Sequence, residues 1–109
     1  METLSASEVL AALGHETRLS IFRLLVQAGV DGLTPSVISK ELHLPPATLS
    51  FHLSQMSRVG LIAGKQESRF IYYSVDFGLV DNVLAFLTEN CCQGKACLPK
   101  AAASTKGKK

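Results

Sequence analysis

The 109-residue chain contains no run close to the roughly 20 apolar residues that span a bilayer, which excludes a membrane helix. Its opening, METLSASEVL, lacks the basic-then-apolar order of a signal peptide, so the expected location is the cytoplasm. No glycine-rich phosphate loop is present, and no pair of acids sits in a recognisable catalytic context. The three histidines are scattered at positions 15, 43 and 52, and an enzyme is not expected. Bulk positive charge is also missing. The net charge is +2, but four of the eleven basic residues, Lys100, Lys106, Lys108 and Lys109, lie in the last ten positions, and residues 1–99 hold seven bases against nine acids. Any footprint on nucleic acid must therefore come from the local placement of Arg58, Lys65, Arg69 and the tail. Cysteine is absent from the first 90 residues. All three cysteines fall within CCQGKAC, an odd count in a chain expected to be reduced, which argues against a disulfide scaffold.

A chain of this length with 47% hydrophobic content builds one domain, expected over residues 1–90. Its organising stretch is LTPSVISKELHLPPATLSFHLSQMSR, Leu33 to Arg58. Thr34 can cap a short helix that has Pro35 at its first position, where a missing N–H costs nothing, and that ends near Leu42. His43-Leu44-Pro45 forms a corner, and Pro46 opens a second helix to about Arg58, with Gly60 as its stop. In that second helix Leu49, Leu53 and Met56 form one apolar stripe, while Ala47, Thr48, Phe51, Gln55 and Arg58 project from the other side, which carries no acid. His52 lies nearer the stripe. Two helices joined by such a corner can be purely structural, or they can form a helix-turn-helix that lays its second helix in the DNA major groove. The following stretch favours the second reading. Two β-rich runs, Leu61 to Lys65 and Arg69 to Val75, flank a polar tip Gln66-Glu67-Ser68 and predict a hairpin in the position of a wing.

The remaining helices supply the core. Ser5 with Glu8 fits a capping box for a first helix carrying Val9, Leu10 and Leu13 and closed by Gly14. ETRLSIFRLLVQAG reads as a central core helix, covered except near Arg18, Arg23 and Gln27, and Val30-Asp31-Gly32 as a turn. Asp76 can cap a last helix from Phe77 to about Glu89. Its broad apolar face, with that of the first helix, suits either a dimer interface or burial within one chain. The tail over residues 100–109 has no apolar periodicity and is expected to be disordered.

Cys91, Cys92 and Cys97 are the one reactive cluster, placed in a loop expected over residues 91–99. Adjacent cysteines in a helix point about 100° apart, so Cys91 and Cys92 can share an ion only where the backbone has left the helix. Asn90, Gly94 and Pro99 supply breaks. Three thiolates without a fourth ligand make a poor structural zinc site, which wants a closed tetrahedron. A soft ion satisfied by three sulfurs, such as As(III) or Sb(III), fits better. Three ordinary thiols and a thiol redox switch are the competing readings.

Over roughly residues 5 to 90 the order of elements resembles the ArsR/SmtB family of winged-helix metalloregulators. LGHETRLSIFRLL is similar to that family's opening signature, LPPATLSFHLSQMSRVGLI to its recognition helix and turn, and SRFIYYSV to its second wing strand. The resemblance implies a mainly α winged helix-turn-helix fold with a small β-hairpin, and a homodimeric repressor that leaves its operator on binding an inducing ion. Arsenic-sensing members often carry a Cys-x-Cys pair before the recognition helix, where this chain has Thr34-Pro35-Ser36-Val37, and the last helix lacks the spaced Asp/His ligands of the zinc sensors. CCQGKAC is therefore the expected sensor, similar to a C-terminal three-cysteine arsenite site within the family. The expectation is an arsenite-responsive repressor binding double-stranded operator DNA through Thr48, Ser50, Phe51 and Gln55 in the major groove, with Arg69 of the wing near the backbone or minor groove. A redox- or other soft-metal-sensing repressor is the alternative, and a small metal carrier using the helices as scaffold is the competing class.

Overall fold

The computed structural model describes residues 1–94. The elements are α1 (Thr3–Leu13), α2 (Glu16–Ala28), α3 (Pro35–Leu42), α4 (Pro46–Arg58), β1 (Ile62–Glu67), β2 (Phe70–Val75) and α5 (Phe77–Leu87), with 3-10 turns at Gly29–Asp31 and Cys91–Gly94. This is the expected mainly α fold with one hairpin. The loop expected over residues 91–99 is described only to Gly94, and the tail over residues 100–109 lies outside the described residues. No helix among the described residues is long and apolar enough to cross a membrane.

Side-chain caps set three of the helix starts. Thr34 Oγ1 accepts from the Val37 N–H at 3.4 Å and Asp76 Oδ1 from the Leu79 N–H at 3.1 Å, as the sequence predicts. The third cap is His15, whose Nδ1 accepts from the Thr17 N–H at 3.1 Å to open α2. The capping box at Ser5 does not form. Helix α1 begins three residues earlier, behind Glu2, whose side chain makes no capping bond. Packing overrides the local preference here, because the buried face Ala6, Val9 and Ala12 seats the whole helix. The larger Leu4 and Leu10 point outward at 68% and 40% exposure.

Helix α2 is less enclosed than its composition suggests. Ile21 and Leu25 are fully buried, but Leu19 and Val26 stay open on the opposite side. Around them Ile38 of α3, Leu49, Leu53 and Met56 of α4, Leu61 and Ile62 at the start of the hairpin, Val75 and Val83 close one continuous core. Helix α5 ends at Leu87, two residues before the expected Glu89, and buries Val83 alone.

In the hairpin, strands β1 and β2 pair antiparallel from Ile62↔Val75 to Glu67↔Phe70. Gln66 and Glu67 therefore belong to β1, and the tip is Ser68-Arg69, with Ser68 at φ +60°. A third short segment joins β2 on its other edge. Leu33 N–H donates to the Tyr73 carbonyl at 2.9 Å and Tyr73 N–H to the Leu33 carbonyl at 2.8 Å, tying the wing to the chain entering α3.

Candidate nucleic-acid interface and thiol cluster

Helix α3 ends with His43 in the left-handed conformation at φ +55°, and Pro45 sets up the start of α4 at an angle to it. Leu44 N–H donates to the Ser39 carbonyl, and the Ser39 hydroxyl donates back to the Leu44 carbonyl, so the corner is bonded in both directions. The stripe Leu49, Leu53 and Met56 is buried, and the outer face of α4 is left to solvent. Thr48 and Ser50 are exposed, and Phe51 is 58% exposed, its ring T-shaped to that of His52 at 5.5 Å between centroids. Phe51 thus stands out from the helix. Gln55, half-buried, accepts a hydrogen bond from Arg58 Nη2 at 2.7 Å, so the two act as one polar unit at the end of the helix. Arg69 is exposed at the wing tip, beyond the exposed Lys65–Glu67 pair on β1.

Beside this face runs a groove of about 570 Å³ between α3, α4 and β2, lined among others by Ser36, Lys40, Ser50, Ser54 and Tyr73. Hydroxyls and a lysine are among the groups that hold phosphate oxygens in complexes with DNA. The sequence reading missed Ser36, Lys40, Ser54 and Tyr73, because only the folding of β2 back toward α3 brings them together. Within the hairpin, Gly64 of β1 leaves room for the Tyr73 ring, since a Cβ there would lie 2.9 Å from Ile71 Cγ2 and 3.1 Å from Tyr73 Cε1.

His52 is 7% exposed and lies on the inner side of α4. Arg18 Nη1 stands 3.3 Å from its Nδ1, and the His15 ring lies 4.9 Å away between centroids. Burial, then the neighbouring His15 and Arg18, hold the His52 imidazole below its ordinary value.

At the far end of the chain the backbone leaves the helix as expected. Asn90, Cys92 and Gln93 adopt φ of +57°, +54° and +58°. This sharp turn places Cys91 Sγ 3.4 Å from Cys92 Sγ. Two thiolates bonded to one ion at about 2.3 Å would stand roughly 3.4 to 3.8 Å apart, so the pair has a spacing that one soft ion can use. Cys91 is a half-buried free thiol, whereas Cys92 is disulfide-bonded, contrary to the expectation of reduced thiols throughout. The third predicted ligand, Cys97, lies outside the described residues. Among the described residues no group of three His, Cys, Asp or Glu side chains is placed to hold a metal ion.

A model of the helix-turn-helix domain matches residues 13–64. The transcriptional activator HlyU of Vibrio cholerae is 30% identical over 95 residues, covering 85% of each chain. Its structure superposes with a TM-score of 0.66 over 84% of this chain and 99% of that one, at 28% identity. The transcriptional repressor PagR of Bacillus anthracis gives 0.63 over 76% and 92%, at 29% identity. The homodimeric winged helix-turn-helix domain of Mb0332 from Mycobacterium bovis, described as a possible ArsR-family regulator, gives 0.62 over 87% and 88%, at 19% identity, a likeness of fold.

Proposed function

Because the chain belongs to the winged helix-turn-helix transcriptional regulators, we propose that it is a homodimeric cytoplasmic repressor of the ArsR type, released from its operator when As(III) binds Cys91, Cys92 and Cys97. Operator contact falls to the exposed Thr48, Ser50 and Phe51 of α4 and to the half-buried Gln55 with its partner Arg58, with Arg69 at the wing tip reaching the backbone or minor groove. Two copies would meet through α1 and α5. Leu4, Leu10, Leu84 and Leu87 expose 68%, 40%, 57% and 54% of their surface there. An apolar surface of that kind on two packed helices is costly to leave in water, and a second copy covers it.

The observation that carries the sensing step is the 3.4 Å approach of Cys91 and Cys92 in a backbone that has left the helix. Soft sulfur donors select a thiophilic ion such as As(III) or Sb(III). Capture requires Cys92 as a thiolate, so the reduced protein is the responsive form. The cluster begins four residues after the end of α5, so ordering it around an ion acts on the helix that builds the dimer face. A coupling of about 1–3 kcal/mol already gives partial release.

A redox switch is the second reading, favoured by the disulfide at Cys92 with a free thiol 3.4 Å away, since a thiolate at that distance can exchange with a disulfide. Operator-length DNA in a shift assay decides between these and a metal carrier. Reduced protein should form a specific complex that arsenite dissolves, with one ion taken up per three thiols, and Cys91→Ser should keep the complex but lose the response. Release by peroxide but not by arsenite would establish the redox reading, and no specific complex would leave the carrier.

A further inference from the structure

Arg18 joins two helices that the sequence keeps far apart. Its Nε donates to the Ala12 carbonyl at 2.7 Å and its Nη1 lies 3.3 Å from His52 Nδ1, across 34 residues of chain. Ala12 is in the last turn of α1, where carbonyls have no helical partner, and a guanidinium suits that end of the helix dipole. Arginine has donors only, so His52 Nδ1 must be the acceptor, and the imidazole proton sits on Nε2. The bond exists only for the neutral ring. His15 beside it also uses Nδ1 as an acceptor, for the Thr17 N–H that caps α2. Three potential cations, His15, Arg18 and His52, thus meet where α1, α2 and α4 join. The other charged groups at that junction are Glu8 of α1 and Arg58 of α4, which line the same cleft as Arg18. Of the charged residues on the other elements packed against α4, Lys40 of α3 lines the groove on its far side and Lys65 of β1 pairs with Glu67.

We propose that Arg18 is a positioning residue for operator binding, holding the middle of the recognition helix to the end of α1 through neutral His52, and that protonation of His52 releases this link. The inference rests on the DNA-binding reading of α4 and on α1 as part of the dimer face. Two recognition helices must enter successive major grooves about 34 Å apart, so a shift of α4 against α1 changes their spacing in the dimer. A buried imidazole in the middle of the recognition helix is well placed to make that shift depend on pH. The direction follows from its environment. His52 resists protonation in the folded protein, so the link is intact at and above the ordinary imidazole range. As pH falls below that range, the unfolded chain takes up a proton the folded form refuses and stability declines. At lower pH still, the proton enters His52, and Arg18 then faces a cation.

The test is operator affinity by fluorescence anisotropy at constant salt, between about pH 7.5 and 4.5, so that the range extends well below the ordinary imidazole value, with reduced full-length protein and helicity followed in the same buffers. Wild type should lose about tenfold in affinity while remaining folded, with the midpoint of the loss at the midpoint of the His52 imidazole nitrogen shifts by NMR. His52→Asn offers an acceptor oxygen near the Nδ1 position without a titrating proton, and its affinity ratio across the same range should shrink to about twofold. Arg18→Met keeps a linear chain of similar reach without donors, and should flatten the ratio as well. A flat wild-type profile, an undiminished ratio in His52→Asn, or midpoints that disagree would each overturn the proposal. The NMR comparison decides the matter in wild type even where a variant does not fold. Absence of a specific complex at every pH would instead remove the DNA-binding reading, and the proposal with it.

Discussion

Replacing Gly32 by alanine isolates the tie between the wing and the rest of the domain, because Gly29 provides a matched control. Both glycines occupy nearly the same backbone region, Gly29 at φ +79°, ψ −157° and Gly32 at φ +73°, ψ −172°. A side chain in that region costs on the order of 1–3 kcal/mol in torsional strain alone, and the cost should be similar at the two sites. Their surroundings differ completely. A Cβ at Gly29 would meet nothing within 4 Å, whereas at Gly32 it would lie 2.3 Å from the Tyr73 carbonyl oxygen and 2.8 Å from its carbon. Strand β2 must then withdraw, giving up the two hydrogen bonds between Leu33 and Tyr73. At about 0.5–1.5 kcal/mol net for each bond, Gly32→Ala should destabilise the protein by roughly 1–3 kcal/mol more than Gly29→Ala. For a domain of this size that separates the two melting temperatures by about 5–20 °C. Thermal unfolding by circular dichroism gives the difference, and hydrogen exchange at the Tyr73 amide shows whether the tie itself has opened. Operator affinity should fall further in Gly32→Ala, since Arg69 is carried on the displaced hairpin. Equal melting temperatures for the two variants, with Tyr73 still protected, would refute the reasoning and reduce the effect to backbone torsion.

Two further outcomes follow from the exposed faces. Leu87→Glu combined with Leu84→Glu should give a folded monomer by light scattering with operator affinity lowered at least about tenfold, because α5 presents both residues to solvent and a charge there opposes apolar association. Val83 cannot serve this purpose, since at 5% exposure it belongs to the core of one chain and Val83→Asp would unfold it; a dimeric double variant would count against the α1–α5 interface. Phe51→Ala should weaken operator binding by about 1–3 kcal/mol with little change in melting temperature. The favourable contact open to an apolar ring in the major groove is the thymine methyl, so the loss should disappear on an operator carrying uracil at the contacted position, and equal losses on both DNAs would exclude that contact.

Much of this protein was decided within short stretches of chain. Thr34 with Pro35, Pro46 and Asp76 mark helix starts because a side-chain oxygen or a fixed proline φ acts on N–H groups no more than three residues away. The spacing of Leu49, Leu53 and Met56 selects the buried side of α4 by helix geometry alone, which leaves Thr48, Ser50 and Phe51 outside before any neighbour is known. The hairpin follows from its β-rich runs, though the tip moved to Ser68-Arg69, since the register is set by Ile62 and Val75 entering the core. Other features depend on which surfaces meet. The apolar residues of α1 and α2 look alike in sequence, yet Ala6 and Val9 are buried while Leu4, Leu10, Leu19 and Val26 are open, because each helix has one packed side and its neighbours choose which. Ser5 lost its capping role to the same packing. The Arg18–His52 bond, the Leu33–Tyr73 bridge and the groove that collects Ser36, Lys40, Ser54 and Tyr73 join residues with no periodic relation to one another. Hydrogen bonds and packing act over a few ångströms in space, and distance along the chain carries no trace of such a contact until tertiary structure has closed it.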